Sequence, residues 1–399
     1  MKIPMNDDGN KIKILNILTT VEDGGLEMLI YKIYRGLNKE DYDFHICIMT
    51  KVIHKSFIYK DFEGLNVKIY NLDFINKNVG LAGLLKNINQ IFRLLKLIKL
   101  NRFDIVHSHD FFPAFYSRIA VILARLSFSK YPSKVYSTYH NIYYWLKKPH
   151  RIINKILSSV TDKIVCVSES AMLDSVEKEK IRIKKFKVIY NGLDPDEFYK
   201  DVALGIEYRK KYGYSDNDII VGNVGVLSVR KGQIYLLKAF NEIYRDIDNL
   251  KLVIVGSKRS HELYIYNELT DFIKNNNLKD YVNLVEPIKN VNGIYNMLDI
   301  KVMCSITEGF GLSAFEFMLT EKKCIFSDID VFRELTMNGK FGPLFPNKDY
   351  IKLAEILKKE INQYKKNDPA LKVYRDFVAK SYNLNDMVVK YDELYRSNS

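Results

Sequence analysis

The sequence predicts an α/β protein made of two doubly wound parallel-sheet domains. Short apolar runs of strand length alternate with longer amphipathic stretches, and this series occurs twice, the pattern of parallel sheets covered on both faces. The 399 residues exceed one small domain and suit two. Between the two series lies a polar, charged stretch, residues 194–218, with Pro195 and Gly213, where we place the join.

The first series opens with a strand over residues 11–18, then a loop through Gly24 and Gly25. A helix over 26–37 follows, with apolar side chains at Leu26, Leu29, Ile30, Ile33 and Leu37, one face of a 3.6-residue period. Further strands are expected at 44–49, 67–70, 104–108, 135–139, 164–167 and 188–190, with a long helix ending at Leu100. The second series begins at 219–225 and continues through strands at 252–255, 282–285, 300–304 and 324–326. A helix over 312–319 follows the strand at 300–304. No short internal repeat is present, but both halves share one plan, with ligands expected at the strands' C-terminal ends.

Composition narrows the function classes. An apolar content of 47% with nine prolines argues for globular structure throughout. Cys47, Cys166, Cys304 and Cys324 are scattered in apolar runs without a CxxC pair, so zinc and disulfide readings are poor and a reducing cytoplasm fits. The first ten residues lack the apolar core of a signal peptide. The apolar run 119–124, flanked by Arg118 and Arg125, is far too short to span a bilayer. The net charge of +13 comes without a clustered nucleic-acid-binding stripe or module. Basic clusters at residues 147–151 and 93–99 instead suit a peripheral contact with an anionic membrane surface.

The most informative segment is Glu308-Gly-Phe-Gly-Leu-Ser-Ala-Phe-Glu316. Two carboxylates bracket two glycines where a buried strand gives way to a helix. Gly309 and Gly311 let backbone approach a ligand closely, and the amides opening the helix form an anion-binding end. A carboxylate beside a phosphate repels it, so Glu308 and Glu316 are better suited to accept hydrogen bonds from hydroxyls. A sugar joined to a diphosphate needs both kinds of group.

This segment resembles the E-x7-E motif of the family-4 retaining glycosyltransferases, and Glu308-Gly-Phe-Gly-Leu312 matches the family's usual opening. The resemblance extends to other segments. Gly24-Gly25 is similar to the family's N-terminal glycine loop beside the donor diphosphate and the acceptor; it is no GxGxxG, which disfavours a dehydrogenase. Asn223-Val-Gly-Val-Leu-Ser-Val-Arg-Lys-Gly232 resembles the phosphate-binding segment, with Lys231 at the family's lysine. The family's arginine after the glycine is here Val226, and Arg230 is the nearby cation to replace it. Ser137-Thr-Tyr-His-Asn141 resembles the segment whose histidine reaches the transferred sugar, which makes His140 a candidate. His107 and His109 share a face, but His-x-His with one aspartate is thin for a metal, and they are expected to line or buttress the acceptor side. Tyr190-Asn-Gly-Leu-Asp194 through Phe198 resembles the end of the family's first domain, with Asp194 expected to cap a helix and Phe198 to anchor an interdomain strand. Glu321 and Lys323-Cys324 depart from the family's residues at a helix end.

The resemblance implies the GT-B architecture, two Rossmann-like domains facing across a cleft. Residues 1–200 are the expected acceptor domain and residues 201–380 the donor domain. Residues 381–399 are expected to return as a helix to the first, with Leu384, Met387, Val388, Tyr391 and Leu394 inward. It implies retaining transfer of a sugar from a nucleoside diphosphate, UDP foremost, to a hydroxyl on a sugar or lipid-linked acceptor, in bacterial envelope polysaccharide or glycolipid synthesis. His140, Lys231 and Glu308 are the catalytic candidates. Gly25, Arg230, Lys231, Glu308, Gly309, Phe310, Gly311, Leu312 and Glu316 are the donor-binding ones. No metal, cofactor or nucleic acid is expected, and the enzyme is placed in the cytoplasm, at most peripheral on the inner face of the membrane. A nucleotide-sugar epimerase on the same architecture and a non-catalytic nucleotide-sugar-binding protein are the competing readings.

Overall fold

The computed structural model describes residues 11–22, 24–52, 56–75, 81–258, 262–366 and 368–397. The leader reading of residues 1–10 and Asp23 of the glycine loop fall outside them. The chain divides into two compact units. One comprises the residues through Gly192 together with Leu384 onwards, and the other Leu193–Asn383.

The first unit holds seven strands: β1 (Ile12–Leu18), β2 (Tyr42–Ile48), β3 (Lys68–Asn71), β4 (Ile105–His109), β5 (Lys134–Tyr139), β6 (Lys163–Cys166) and β7 (Phe186–Val188). They lie in the order β3-β2-β1-β4-β5-β6-β7, every pair parallel. The helices are α1 (Gly25–Gly36), α2 (Phe57–Gly64), α3 (Leu81–Asn101), α4 (Phe111–Leu126), α5 (Lys148–Leu157) and α6 (Glu169–Glu179).

The second unit carries α7 (Val202–Lys211), β8 (Ile219–Val224), α8 (Gln233–Ile243), β9 (Leu250–Val255), α9 (Leu263–Asn275), β10 (Val282–Val285) and α10 (Val291–Met297). It continues with β11 (Ile300–Met303), α11 (Leu312–Leu319), β12 (Cys324–Asp328), α12 (Asp330–Leu335), β13 (Leu344–Pro346), α13 (Tyr350–Gln363) and α14 (Lys372–Ser381). Its parallel sheet runs β10-β9-β8-β11-β12-β13. The last helix, α15 (Leu384–Arg396), belongs to the first unit.

Strand alternation sorts the first unit's core into two layers. Ile14, Ile105, Tyr136 and Val165 face α1, α2 and α15, while Leu15, Val106, Val135 and Cys166 face α3 to α6. Helix α15 enters the first layer with Met387, Val388, Tyr391, Leu394 and Tyr395. Arg396 pairs with Asp41 at 2.6 Å, and Tyr42 donates to Asp392 at 2.8 Å. Both sheets reverse their order of winding between two strands, β1 and β4 in one, β8 and β11 in the other. At such a switch point the flanking loops diverge at the strands' C-terminal ends and leave a crevice.

Two local expectations are corrected. Asp194 caps no helix: its Oδ1 accepts from the amide of Asp196 at 2.9 Å, an Asx turn, and Asp201 caps α7 through the amide of Leu204. Phe198 lies in no strand; it is buried within the second unit against Tyr295. β7 also begins earlier than the apolar pattern indicates, at Phe186.

Candidate active site

The second unit's switch point is bounded by the loop after β8, Gly225 to Gly232, and the loop after β11, Cys304 to Gly311. The amide of Ile306 donates to the carbonyl of Arg230 at 2.8 Å and ties the two loops together. Gly232, at φ 62°, lies so close to the neighbouring loop that a Cβ there would meet the carbonyl oxygen of Cys304 at 2.2 Å. Gly311 precedes α11 as its cap at φ 89°, and a Cβ there would meet the ring of Phe332 at 2.8 Å. Both positions therefore need glycine.

On this scaffold Glu308 is almost fully buried. It accepts from Lys231 Nζ at 2.6 Å, Arg230 NH1 at 2.7 Å and Ser305 Oγ at 3.2 Å. Burial alone pushes its carboxyl up, but the two cations outweigh it and hold the group down at about 2. Burial lowers the Lys231 ammonium, with Glu308 opposing. Arg230 and Lys231 therefore converge on one carboxylate at the opening of α11, where the first amides have no partner inside the helix. A dianionic phosphate group entering here would meet two cations and a positive helix end.

Glu316 lies about one turn into α11 and accepts from Tyr295 OH at 2.7 Å. Beneath it, the ammonium of Lys301 sits over the Tyr295 ring, 4.6 Å from its centroid, and also donates to the carbonyl of Ser313. Burial depresses Lys301 to about 7. Phe310 is an anchor: its buried ring packs against Phe315 and Tyr382. Gly309 is buried beside it, and Leu312 begins α11.

At the first unit's switch point, a chain of neutral polar groups runs from Asn16 to His109 to His140. His109 Nε2 meets Asn16 Oδ1 and its Nδ1 meets His140 Nε2, each at 3.0 Å. Burial holds both imidazoles below the usual histidine range. Asp110, at φ 69° on a non-glycine residue, accepts from Tyr143 OH at 2.8 Å and from the His140 amide at 3.3 Å. Gly25 opens α1 with Gly24 as its cap, and Glu27 one turn in is pushed up by burial to about 8.

Of the two roles expected for the paired histidines, His107 takes the buttressing one: it is fully buried between Tyr395 OH at 2.9 Å and Thr138 Oγ1 at 2.7 Å, stacks on His109, and tethers α15 to the sheet. Sequence reasoning missed Asn16, Glu27, Tyr295 and Lys301, and weighed Asp110 only as a metal ligand. Asn16 and Lys301 carried a signal, a polar residue inside an otherwise apolar strand. The others show only once the fold is known. A separate cavity of about 270 Å³ opens at the other end of the second sheet's strands, where Asp299 and Lys322 precede β11 and β12, but its charges engage one another, Arg209 with Asp299 and Lys200 with Glu321.

Two family descriptions match the chain in succession. Residues 23–197 match Glycosyltransferase Family 4, and residues 206–375 match Glycosyl transferases group 1. The chain belongs to this family of glycosyltransferases. It is 24% identical over 403 residues to the UDP-Gal:alpha-D-GlcNAc-diphosphoundecaprenol alpha-1,3-galactosyltransferase of Escherichia coli, covering 98% of both chains. Among solved structures it resembles HepE of Anabaena in complex with UDP and glucose, with a TM-score of 0.83 at 18% identity. That match covers 97% of this chain and 100% of the other. A glycosyltransferase of Rickettsia africae matches with a TM-score of 0.80 at 22% identity, over 98% and 100% of the two chains. The two Rossmann-like sheets are thus those of the GT-B fold.

Proposed function

We propose that the protein is a retaining hexosyltransferase that moves a sugar from a UDP-sugar to a hydroxyl of a lipid-linked acceptor, in the assembly of a bacterial envelope polysaccharide or glycolipid. The observation that carries this reading is the meeting of Arg230 and Lys231 at the mouth of α11, with Glu308 between them. Cations fixed where a diphosphate gains charge stabilise its departure, usually the largest catalytic term.

In this reading the second unit holds the donor. The diphosphate displaces Glu308 from Lys231 and Arg230, and Glu308 turns to the sugar hydroxyls. The amides of Phe310, Gly311 and Leu312 hold the sugar and Glu316 holds the ribose. Arg230 does the work of the arginine absent at Val226. The first unit holds the acceptor, with His140 offered to a sugar hydroxyl and Gly25 in the loop beside the diphosphate. Retention follows from same-face attack, with the leaving phosphate oxygen taking the acceptor proton. The donor and lipid carrier are those in the name of the Escherichia coli relative, and the chain works peripherally at the membrane.

The test is product analysis with a panel of nucleotide sugars and a polyprenyl-diphosphate-linked sugar. Transfer with retained anomeric configuration, read by NMR, is the expected result. Isomerised donor without an acceptor would make it an epimerase, and binding without turnover a nucleotide-sugar-binding protein.

A further inference from the structure

Helix α3 is apolar on two sides. Ile91, Leu94 and Ile98 face the core, while Leu85, Ile88 and Phe92 point outward. A helix in a water-exposed layer normally keeps its outer face polar. Helix α5 repeats the anomaly: Ile152 and Ile156 are exposed, and so is Trp145 in the loop before it. The six range from 42% exposed at Ile88 to 65% at Ile156, too much apolar surface in one layer to be scattered residues. Helix α4 packs between the other two, so all three share one side of the first sheet.

The charge on these three helices has one sign, although the neighbouring α6 is acidic and Asp73 pairs with Lys86 of α3 at 2.5 Å. Helices α3, α4 and α5 contain no aspartate or glutamate, and the chain has none between Asp110 and Asp162. Around the apolar side chains stand Arg93, Lys96 and Lys99 on α3 and Lys148, Arg151 and Lys155 on α5. Apolar side chains flanked on their own helices by cations match the boundary between acyl chains and anionic headgroups, where Lys and Arg keep their charge in the headgroup layer.

We propose that the outer face of the α3–α4–α5 layer is a docking surface for an anionic lipid bilayer, with Leu85, Ile88, Phe92, Trp145, Ile152 and Ile156 entering the interface. The inference rests on the lipid-linked acceptor proposed above and names the surface that brings the enzyme to it. Trp145 packs edge-on against Phe111 at 5.3 Å, directly after Asp110, and Asp110 holds the amide of His140. The docking surface thus adjoins the first unit's switch point, where the acceptor hydroxyl has to arrive.

Trp145 is the only tryptophan of the chain and reports on its own surroundings. The full-length protein is titrated with vesicles of phosphatidylcholine alone or mixed with phosphatidylglycerol, and lipids brominated on their acyl chains serve as quenchers. The expected result is a blue shift and quenching with the anionic vesicles, with partitioning weakened about tenfold or more between ~0.1 M and ~0.5 M salt. A Lys148→Ala, Arg151→Ala, Lys155→Ala variant lowers partitioning on the order of a hundredfold, at roughly fivefold per cation, while its affinity for a UDP-sugar by calorimetry is unchanged.

Trp145 emission indifferent to anionic vesicles overturns the proposal, as does binding unaffected by the three substitutions. So does a lipid-free shift that grows with protein concentration alongside a dimer in sedimentation, which assigns the face to a second copy. Transfer to a water-soluble short-chain acceptor separates the two readings. A protein that transfers sugar but ignores vesicles loses the docking surface alone. One that docks but transfers nothing keeps the surface and loses the functional reading.

Discussion

Tyr295 of α10 donates its phenol to Glu316 of α11 at 2.7 Å, from a position wholly inside the second unit. The bond fixes the glutamate's carboxylate from below, so its orientation is set before any ligand arrives. Preorganisation of this kind lowers the cost of ordering side chains on binding. Tyr295→Phe keeps the ring and removes only the donor. A hydrogen bond to a charged group is worth about 1.5–3 kcal/mol, so the free nucleoside diphosphate is expected to bind about tenfold or more weakly. Calorimetry checks this, and combined with Glu316→Gln the two losses are expected not to add, because they share one interaction. Additive losses would show that Tyr295 acts on the fold and not on Glu316.

Glu308 and Glu316 are assigned different partners, which gives a sharper comparison. Glu316→Gln is expected to weaken every nucleotide ligand, including the free diphosphate. Glu308→Gln is expected to spare or improve binding of the free diphosphate, because Lys231 and Arg230 are released from the competing carboxylate. It is expected to impair use of the whole donor by tenfold or more, on the order of one charged hydrogen bond. Wild-type binding of UDP by Glu316→Gln would refute the ribose assignment.

Much of this architecture is visible in the residues themselves. The apolar runs of β8, β9 and β11 are bounded by turn residues, and α11 over Leu312–Leu319 follows its two glycines, with Ala314, Phe315, Phe317, Met318 and Leu319 buried. What escaped has physical reasons. β13 is three residues ending in proline at the sheet edge, too short for any period to show. His107 and His109 look alike in a strand, and only the arrival of α15 with Tyr395, far along the chain, makes one of them a structural tether. The ion cluster on Glu308 joins residues from two loops, and only the parallel pairing of β8 with β11 brings them together.

Lys231 and Arg230 are expected to matter at different stages. Lys231→Ala removes the more buried cation, and if its charge counts most as the diphosphate departs, kcat falls by about 10²–10³ while donor binding changes far less. Arg230→Ala tests whether a cation from this position replaces the one missing at Val226. A substantial fall in kcat supports it, and wild-type kinetics would end the idea. Either change leaves Glu308 with one cation, so its carboxyl is expected to rise from about 2 and the cluster to hold over a narrower acid range. The sign is that of a depressed carboxylate: its contribution to stability is present above the unfolded value, about 4.5, and is lost as pH falls toward 2.

Glu27 makes the opposite prediction. Its carboxyl sits one turn into α1, 9% exposed, and burial raises it from 4.5 to about 8, with Glu22 and Asp110 adding to the effect. The folded chain therefore keeps a proton on Glu27 over a range in which the unfolded chain has released it. Between pH 4.5 and 8 the native state binds more protons, so this residue makes stability fall as pH rises; the penalty is complete above about 8 and absent below 4.5. Glu27→Gln imitates the protonated acid and carries no such slope. It is expected to be more stable than wild type at pH 8 by on the order of 2–4 kcal/mol, since each tenfold change in proton affinity is worth about 1.36 kcal/mol and the folded chain relaxes part of the burden. The variant then unfolds at a higher temperature there, and at pH 5 the two proteins are expected to converge. Turnover of the variant at neutral pH is expected to stay within about threefold of wild type, since the amide keeps the carboxyl's shape and neutrality. Thermal unfolding of both proteins across this range decides it. Parallel stability curves for the two would mean that Glu27 is already ionised in the folded chain.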